Sequence, residues 1–199
     1  LKIDLCIHAE YTSYPALVEG LGQAAVDLGV GTHIHLSETK AEHEECKGRH
    51  GGMTPTQYFD SLGYFRTPCV AAHAVWTEPC DWEILQKRGV TVAACPASNL
   101  KLGSGVAPIP RIMEAGVRVA LGTDGVASNN NHDMLRTAYL FFLVQKGDTG
   151  DPTVVNPSTA LRCATINGAV AQGRFDCGLI REGFRADFVV LDFDQPHLQ

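Results

Sequence analysis

Short runs of apolar, often β-branched residues alternate along the chain with longer stretches in which apolar residues recur every three or four positions. The short runs occupy residues 1–7, 30–36, 69–72, 90–94 and 117–121. They are close to continuously apolar, the pattern of parallel strands covered on both faces. The longer stretches, residues 15–28, 54–62, 78–88 and 109–115, carry the helical period and place acidic or polar residues near their starts. Gly29, Gly63, Gly89 and Gly116 follow them, where a helix can end in left-handed backbone at little cost. Helix–glycine–strand repeated in this way predicts a β/α alternation and hence a parallel sheet. Two further helices are predicted over residues 132–145 and 157–172, joined by the Gly/Pro/Asp-rich loop 147–156.

Composition narrows the class. The chain has 199 residues, 45% of them hydrophobic, and a formal net charge of −6. A pI near 5.7 argues against a nucleic-acid-binding or anionic-membrane surface. No apolar run approaches the roughly 18 residues of a membrane helix. Lys2, Asp4, His8 and Glu10 interrupt the first ten residues, so no secretory leader is expected. The seven cysteines are an odd count without a C-x-x-C pair, which favours buried free thiols in a cytoplasmic setting over a disulfide framework.

The chemistry lies in what ends each strand: His8, His35, His73, Cys95 and Asp124. In a (β/α) barrel the loops that follow the strands converge on one mouth, and the site sits there. Four of the five ends carry a side chain able to bind metal or move a proton. An open doubly wound sheet is the weaker option, because no Gly-rich phosphate-binding turn is present. His35 and Glu38 form H-x-x-E, a metal-type imidazole with a carboxylate placed to shuttle protons. The plain alternative is a core histidine beside a solvated glutamate. His33, two residues earlier, shares a strand face with His35 and reads as a deeper interior histidine, with a second ligand as the alternative. Asp124, within Leu121-Gly122-Thr123-Asp124-Gly125, could ligate a metal and accept a proton from its water, or simply make a turn. His73 could polarise the reacting centre. Asn99 and Ser128 belong to small, amide-rich loops that suit the rim of a polar heterocycle pocket or plain turns.

Five segments together resemble the amidohydrolase superfamily: His33-Ile34-His35-Leu36-Ser37-Glu38, Ala71-Ala72-His73, Pro96-Ala97-Ser98-Asn99-Leu100-Lys101, Leu121-Gly122-Thr123-Asp124-Gly125 and Arg185-Ala186-Asp187-Phe188-Val189-Val190. Within it the chain is most similar to the 5′-methylthioadenosine/S-adenosylhomocysteine deaminases and their chlorohydrolase-like relatives. The resemblance implies an α/β TIM (β/α)8 barrel of the metal-dependent hydrolase type. The five strands would be its strands 4–8, with residues 1–175 as partial barrel and 176–199 as the start of a small β-sandwich. It implies one divalent metal, Zn²⁺ first, with Fe²⁺, Mn²⁺ and Ni²⁺ as alternatives. His35 and Asp124 would be ligands, Glu38 the proton shuttle, His73 the histidine beside the activated water, and His8, Asn99 and Ser128 substrate contacts.

The activity implied is hydrolytic deamination of an aminopurine nucleoside. Chlorohydrolase or guanine/cytosine deaminase chemistry are alternatives on the same site, and a non-catalytic binding module is one of another class. The expected partner is a small aminopurine or related heterocycle, with no nucleic acid or membrane, in a homo-oligomer. Trp76 stands where many relatives have a second histidine, and Ala94-Cys95 where many have His-Asn. The first-strand H-x-H of the family is absent, since His33-x-His35 is already the fifth-strand motif. A barrel takes about 250 residues, so five strands in a chain beginning at Leu1 lead to the expectation of a carboxyl-terminal portion, inactive alone.

Overall fold

The computed structural model describes residues 2–194. Five strands, β1 (Leu5–Cys6), β2 (Thr32–Leu36), β3 (Cys69–His73), β4 (Thr91–Ala94) and β5 (Arg118–Leu121), form one sheet in sequential order, every pair parallel. Between them run α1 (Pro15–Leu28), α2 (Lys40–Arg49), α3 (Pro55–Ser61), α4 (Pro79–Arg88), α5 (Pro96–Lys101) and α6 (Ile109–Glu114). After β5 come α7 (Val126–Asn129), α8 (Met134–Thr149), α9 (Pro157–Ala164) and α10 (Ile166–Ala171). Gly29, Gly63, Gly89 and Gly116 all have positive φ, so each helix-ending glycine does what only glycine does cheaply.

The helices cover one face of the sheet. Ile34, Leu36, Ala71, Val92 and Val119 pack beneath Val18, Phe59, Leu85, Ile112 and Phe141, all essentially buried. Much of the opposite face is open: His33 is exposed, and with Lys2, Asp4, Val70 and Ala93 it borders a hollow of about 400 Å³, which Gly168 and Ala171 of α10 line on the side of the buried Ala120. The strands are therefore apolar without being covered on both sides. His33, expected as a hydrogen-bonded interior residue, makes no hydrogen bond through its ring among the described residues. Four of the seven cysteines are buried, and all seven are free thiols.

Three elements depart from the periodicity. α2 had no apolar stripe to reveal it; its buried residues are Glu42, His43 and Cys46, and Thr39 caps it by accepting from Glu42 N. The single helix expected over 157–172 breaks at Thr165 (φ −124°, ψ −94°), whose hydroxyl turns back onto Leu161 O at 2.7 Å. The second piece, α10, is redirected onto β5, where Asn167 Nδ2 donates to Val119 O at 2.7 Å. Residues 176–194 contain no strand, and 195–199 lie outside the described residues. Val189 and Val190 are 83% and 92% exposed, and no strand among the described residues pairs with them.

Tyr64 ties the edge strand into the fold. Its buried hydroxyl donates to His33 O at 2.9 Å and accepts from Ile7 N at 3.2 Å, just before His8. Tyr64→Phe keeps the ring but strips both partners, and is expected to cost about 1–3 kcal/mol in denaturant unfolding. An unchanged midpoint would show that the hydroxyl is dispensable.

Candidate metal and catalytic site

The parallel register carries the strand ends to one edge. Leu36 lies opposite His73, and Ala94 opposite Leu121, so the residues that follow them leave the sheet at a common level. His8 follows β1, His35 is the penultimate residue of β2, and His73 ends β3. The rings lie in a row: His8 is tilted against His35 at 4.9 Å between centroids, and His35 stacks on His73 at 5.4 Å. Glu38 faces this row, with Oε2 3.6 Å from His73 Nε2.

Strand alternation by itself would send His73 toward the helix side with Cys69 and Ala71. Its φ of +73° turns it out of that register, and the ring lies over His35 instead. Ala74 (φ +51°) continues the bend, and its N–H donates to Leu36 O at 3.0 Å. Asp124 also sits in left-handed backbone (φ +59°). A cluster of strained residues of this kind needs surrounding bonds to hold it, and such clusters concentrate at functional sites.

Each side chain is oriented by a partner. His35 Nδ1 donates to His8 O at 2.7 Å; a carbonyl can only accept, so in the neutral ring Nε2 is left as a bare lone pair. His73, 1% exposed, donates from Nδ1 to Asn99 Oδ1 at 2.8 Å. Asn99, expected at the pocket rim, is thus buried and committed to holding a histidine. Ser98 donates to Asp124 Oδ2 at 2.6 Å and Gly125 N to Oδ1 at 2.7 Å. Burial pushes the Asp124 carboxyl up, but these bonds, Ser128 and the nearby His73 outweigh it and hold it below the usual aspartate range. Ser128 is half-buried; its hydroxyl donates to Gly125 O at 3.3 Å. His8 is exposed and shares a hydrogen bond with Thr12 Oγ1 at 3.1 Å.

Cys95 takes no comparable part. Burial, then the Asp124 and Glu38 charges, push its thiol up to about 12, so it stays protonated at neutral pH. A Cβ on Gly122 would lie 3.0 Å from its sulfur, a tight contact that a side chain there could make only if Cys95 shifted.

The donor set fits a divalent metal in kind: a lone-pair imidazole at His35 and an ionised carboxylate at Asp124. Both are oriented by the second layer of hydrogen bonds that metal ligands characteristically carry. Among the described residues these donors do not form a three-ligand cluster; Glu10, Cys46 and His50 do, with ligand atoms within 4.8 Å of one another. That trio already holds a cation, because Arg49 binds both Glu10 oxygens while His50 donates to Oε1 at 2.7 Å. It clamps the His8 loop to α2.

Ser98 and Glu10 were not singled out in the sequence, since neither spacing nor composition marks a serine or glutamate that orients another residue. Replacing Ser98 by alanine removes a bond to the charged form of Asp124, so the carboxyl pKa is expected to rise. A depressed acid stabilises the fold above its unfolded pKa and loses that contribution as pH falls through the folded one. In Ser98→Ala the contribution should therefore be smaller and its loss complete at a higher pH. Carboxyl titration by NMR, with and without the substitution, measures this; an unmoved Asp124 would contradict it.

Residues 1–199 match the amidohydrolase family over the full chain. The 5-methylthioadenosine/S-adenosylhomocysteine deaminase of Pelotomaculum thermopropionicum is 44% identical over 191 residues, covering 96% of this chain and 44% of that protein. Its counterpart from Thermococcus sibiricus is 46% identical over 192 residues, covering 96% and 45% respectively. Among solved structures, an adenosine deaminase from Xanthomonas campestris with bound zinc superposes with a TM-score of 0.94. It is 34% identical, with 98% of this chain and 45% of that one covered. The atrazine chlorohydrolase of Arthrobacter aurescens, complexed with zinc, gives a TM-score of 0.82 at 30% identity, covering 92% and 40%. The chain spans less than half the length of the curated relatives it matches.

Proposed function

The chain belongs to the amidohydrolase family, and from that premise we propose that it carries the site-bearing later part of a metal-dependent deaminase acting on an aminopurine nucleoside. The methylthioadenosine/adenosylhomocysteine type is the substrate class of its similar relatives. In this reading the five strands are strands 4–8 of a (β/α)8 barrel, residues 1–175 are barrel, and 176–199 begin a second domain. The unpaired edges of β1 and β5 are where the remaining strands would join, and the face beside His33 would become the barrel interior. The observation that carries the proposal is the row of His8, His35 and His73 at consecutive strand ends, with Glu38 facing it at 3.6 Å from His73.

His35 and Asp124 would hold the metal, zinc in the first instance, together with ligands from outside this chain. When bound, a divalent metal brings the pKa of a water at the site toward about 7. Asp124, kept ionised by Ser98 and the Gly125 N–H, accepts the proton that water loses. Glu38 gives a proton to the ring nitrogen next to the attacked carbon, takes the remaining proton of the added hydroxyl and passes it to the amino group; the proton held by Asp124 then recharges Glu38. A C–O bond forms, the C–N bond breaks, and ammonia leaves with the proton Glu38 delivers. His73, fixed by Asn99, steadies the developing oxyanion, and exposed His8 contacts the heterocycle. Asn99 acts through His73 and Ser128 through the Asp124 loop.

Glu38 moves protons and is not a ligand. In the full-length protein Glu38→Gln is expected to lower kcat by about 100-fold or more, the scale of a positioned acid–base group, with metal content kept. Parental turnover would remove that role. Ammonia release from methylthioadenosine, adenosylhomocysteine, guanine and a chlorinated triazine, compared side by side, tests the substrate class. Preference for guanine or the triazine would replace the nucleoside reading. A catalytic zinc site usually has three protein ligands, and two are in this chain, so the isolated 199-residue polypeptide is expected not to retain stoichiometric zinc on dialysis. Tight 1:1 zinc would refute the assignment of ligands.

A further inference from the structure

The loop that presents Glu38 is held by a buried carboxylate. Ser37, fully buried, adopts φ +48°, a conformation costly for a residue with a Cβ, and it turns the chain from β2 toward Glu38. Glu42, 5% exposed, accepts from Ser37 N at 3.1 Å through one oxygen and from Glu38 N at 2.7 Å through the other. Thr39-x-x-Glu42 has the spacing of a capping box, and Thr39 does accept from Glu42 N at 3.1 Å. In a capping box the glutamate returns to Thr39 N. Here the Glu42 carboxylate, which the Thr39 amide also approaches, extends past the cap to the two preceding amides, one of them that of Glu38 itself.

The same loop is gripped from two other sides. Ser37 Oγ lies 3.2 Å from His43 Nδ1, and His43 Nε2 lies 3.0 Å from Glu78, which Lys47 also binds at 2.7 Å. Trp76 N donates to Ser37 O at 3.0 Å. Of these contacts, only those of Glu42 reach the backbone of Glu38.

We propose that Glu42 is the positioning residue for Glu38: its carboxylate spans the Ser37 and Glu38 amides and fixes the carboxylate of Glu38 against His73. The proposal rests on Glu38 being the proton carrier. Glu42 touches no reacting atom, and its effect is expected on turnover rather than on substrate affinity. A neutral amide at position 42 keeps one acceptor oxygen and sets an N–H against the other backbone donor, so the loop loses one of its two anchors.

The test uses the full-length enzyme with E42Q, E42A, E38Q, the double variant E38Q/E42Q and T39A. T39A removes the helix cap without touching the two amides. E42Q and E42A are expected to lower kcat about ten- to hundredfold, the scale of a misplaced catalytic group, with KM within about twofold and zinc content unchanged. T39A is expected to lower Tm while leaving kcat within about twofold of the parent. E38Q/E42Q should be no slower than E38Q, because two groups acting in one step do not lose rate independently. Impaired E38Q with parental E42Q overturns the positioning role alone. Kcat losses in T39A equal to those in E42Q reduce Glu42 to a helix cap, and multiplicative losses in the double variant separate it from Glu38. Parental turnover in E38Q overturns the Glu38 reading, and the positioning role with it.

Discussion

Parallel pairing in register is the constraint on which the rest of the molecule depends. It levels the carboxyl ends of five strands, so that residues far apart in sequence leave the sheet side by side. The backbone must then turn sharply over the sheet edge, and it does so through left-handed residues at Ser37, His73, Ala74 and Asp124. Each costs on the order of 1–3 kcal/mol. The strain is offset by hydrogen bonds across the same edge: Ala74 N to Leu36 O, Trp76 N to Ser37 O and Glu42 to the amides of Ser37 and Glu38.

This arrangement explains why the charged groups of the site are so often surrounded by polar residues that do no chemistry. A carboxylate or imidazole at the end of a buried strand is partly desolvated, and it keeps a defined ionisation state and direction only when hydrogen-bonded. Ser98 and the Gly125 amide do this for Asp124, while Asn99 and the His8 carbonyl fix the directions of the His73 and His35 rings. The polar helix α2 belongs to the same scheme. Its buried face is Glu42, His43 and Cys46, and it packs by engaging the loops after β1 and β2.

The alternation of strands and helices, the glycines that end the helices and the reactive residues that end the strands were legible in the chain itself. All three are local signals: a residue's backbone preference and the period of its neighbours' polarity decide them. The break at Thr165 was not legible, because it depends on Asn167 finding the Val119 carbonyl at the sheet edge. Nor was α2, whose buried face is polar and matches no apolar period.

The sequence by itself determined which side chains stand at strand ends, since strand length and the following loop are encoded locally. Only the tertiary structure decided what those side chains do. His73 joins the histidine row because positive φ reverses the direction alternation would have set. Asn99 holds a ring where a rim was expected, and Glu42 reaches past its own helix cap. These outcomes come from a hydrogen bond between residues 26 positions apart, from a side chain that reaches four and five residues back, or from a single unusual dihedral, and none of these leaves a period or a composition that the linear chain can display.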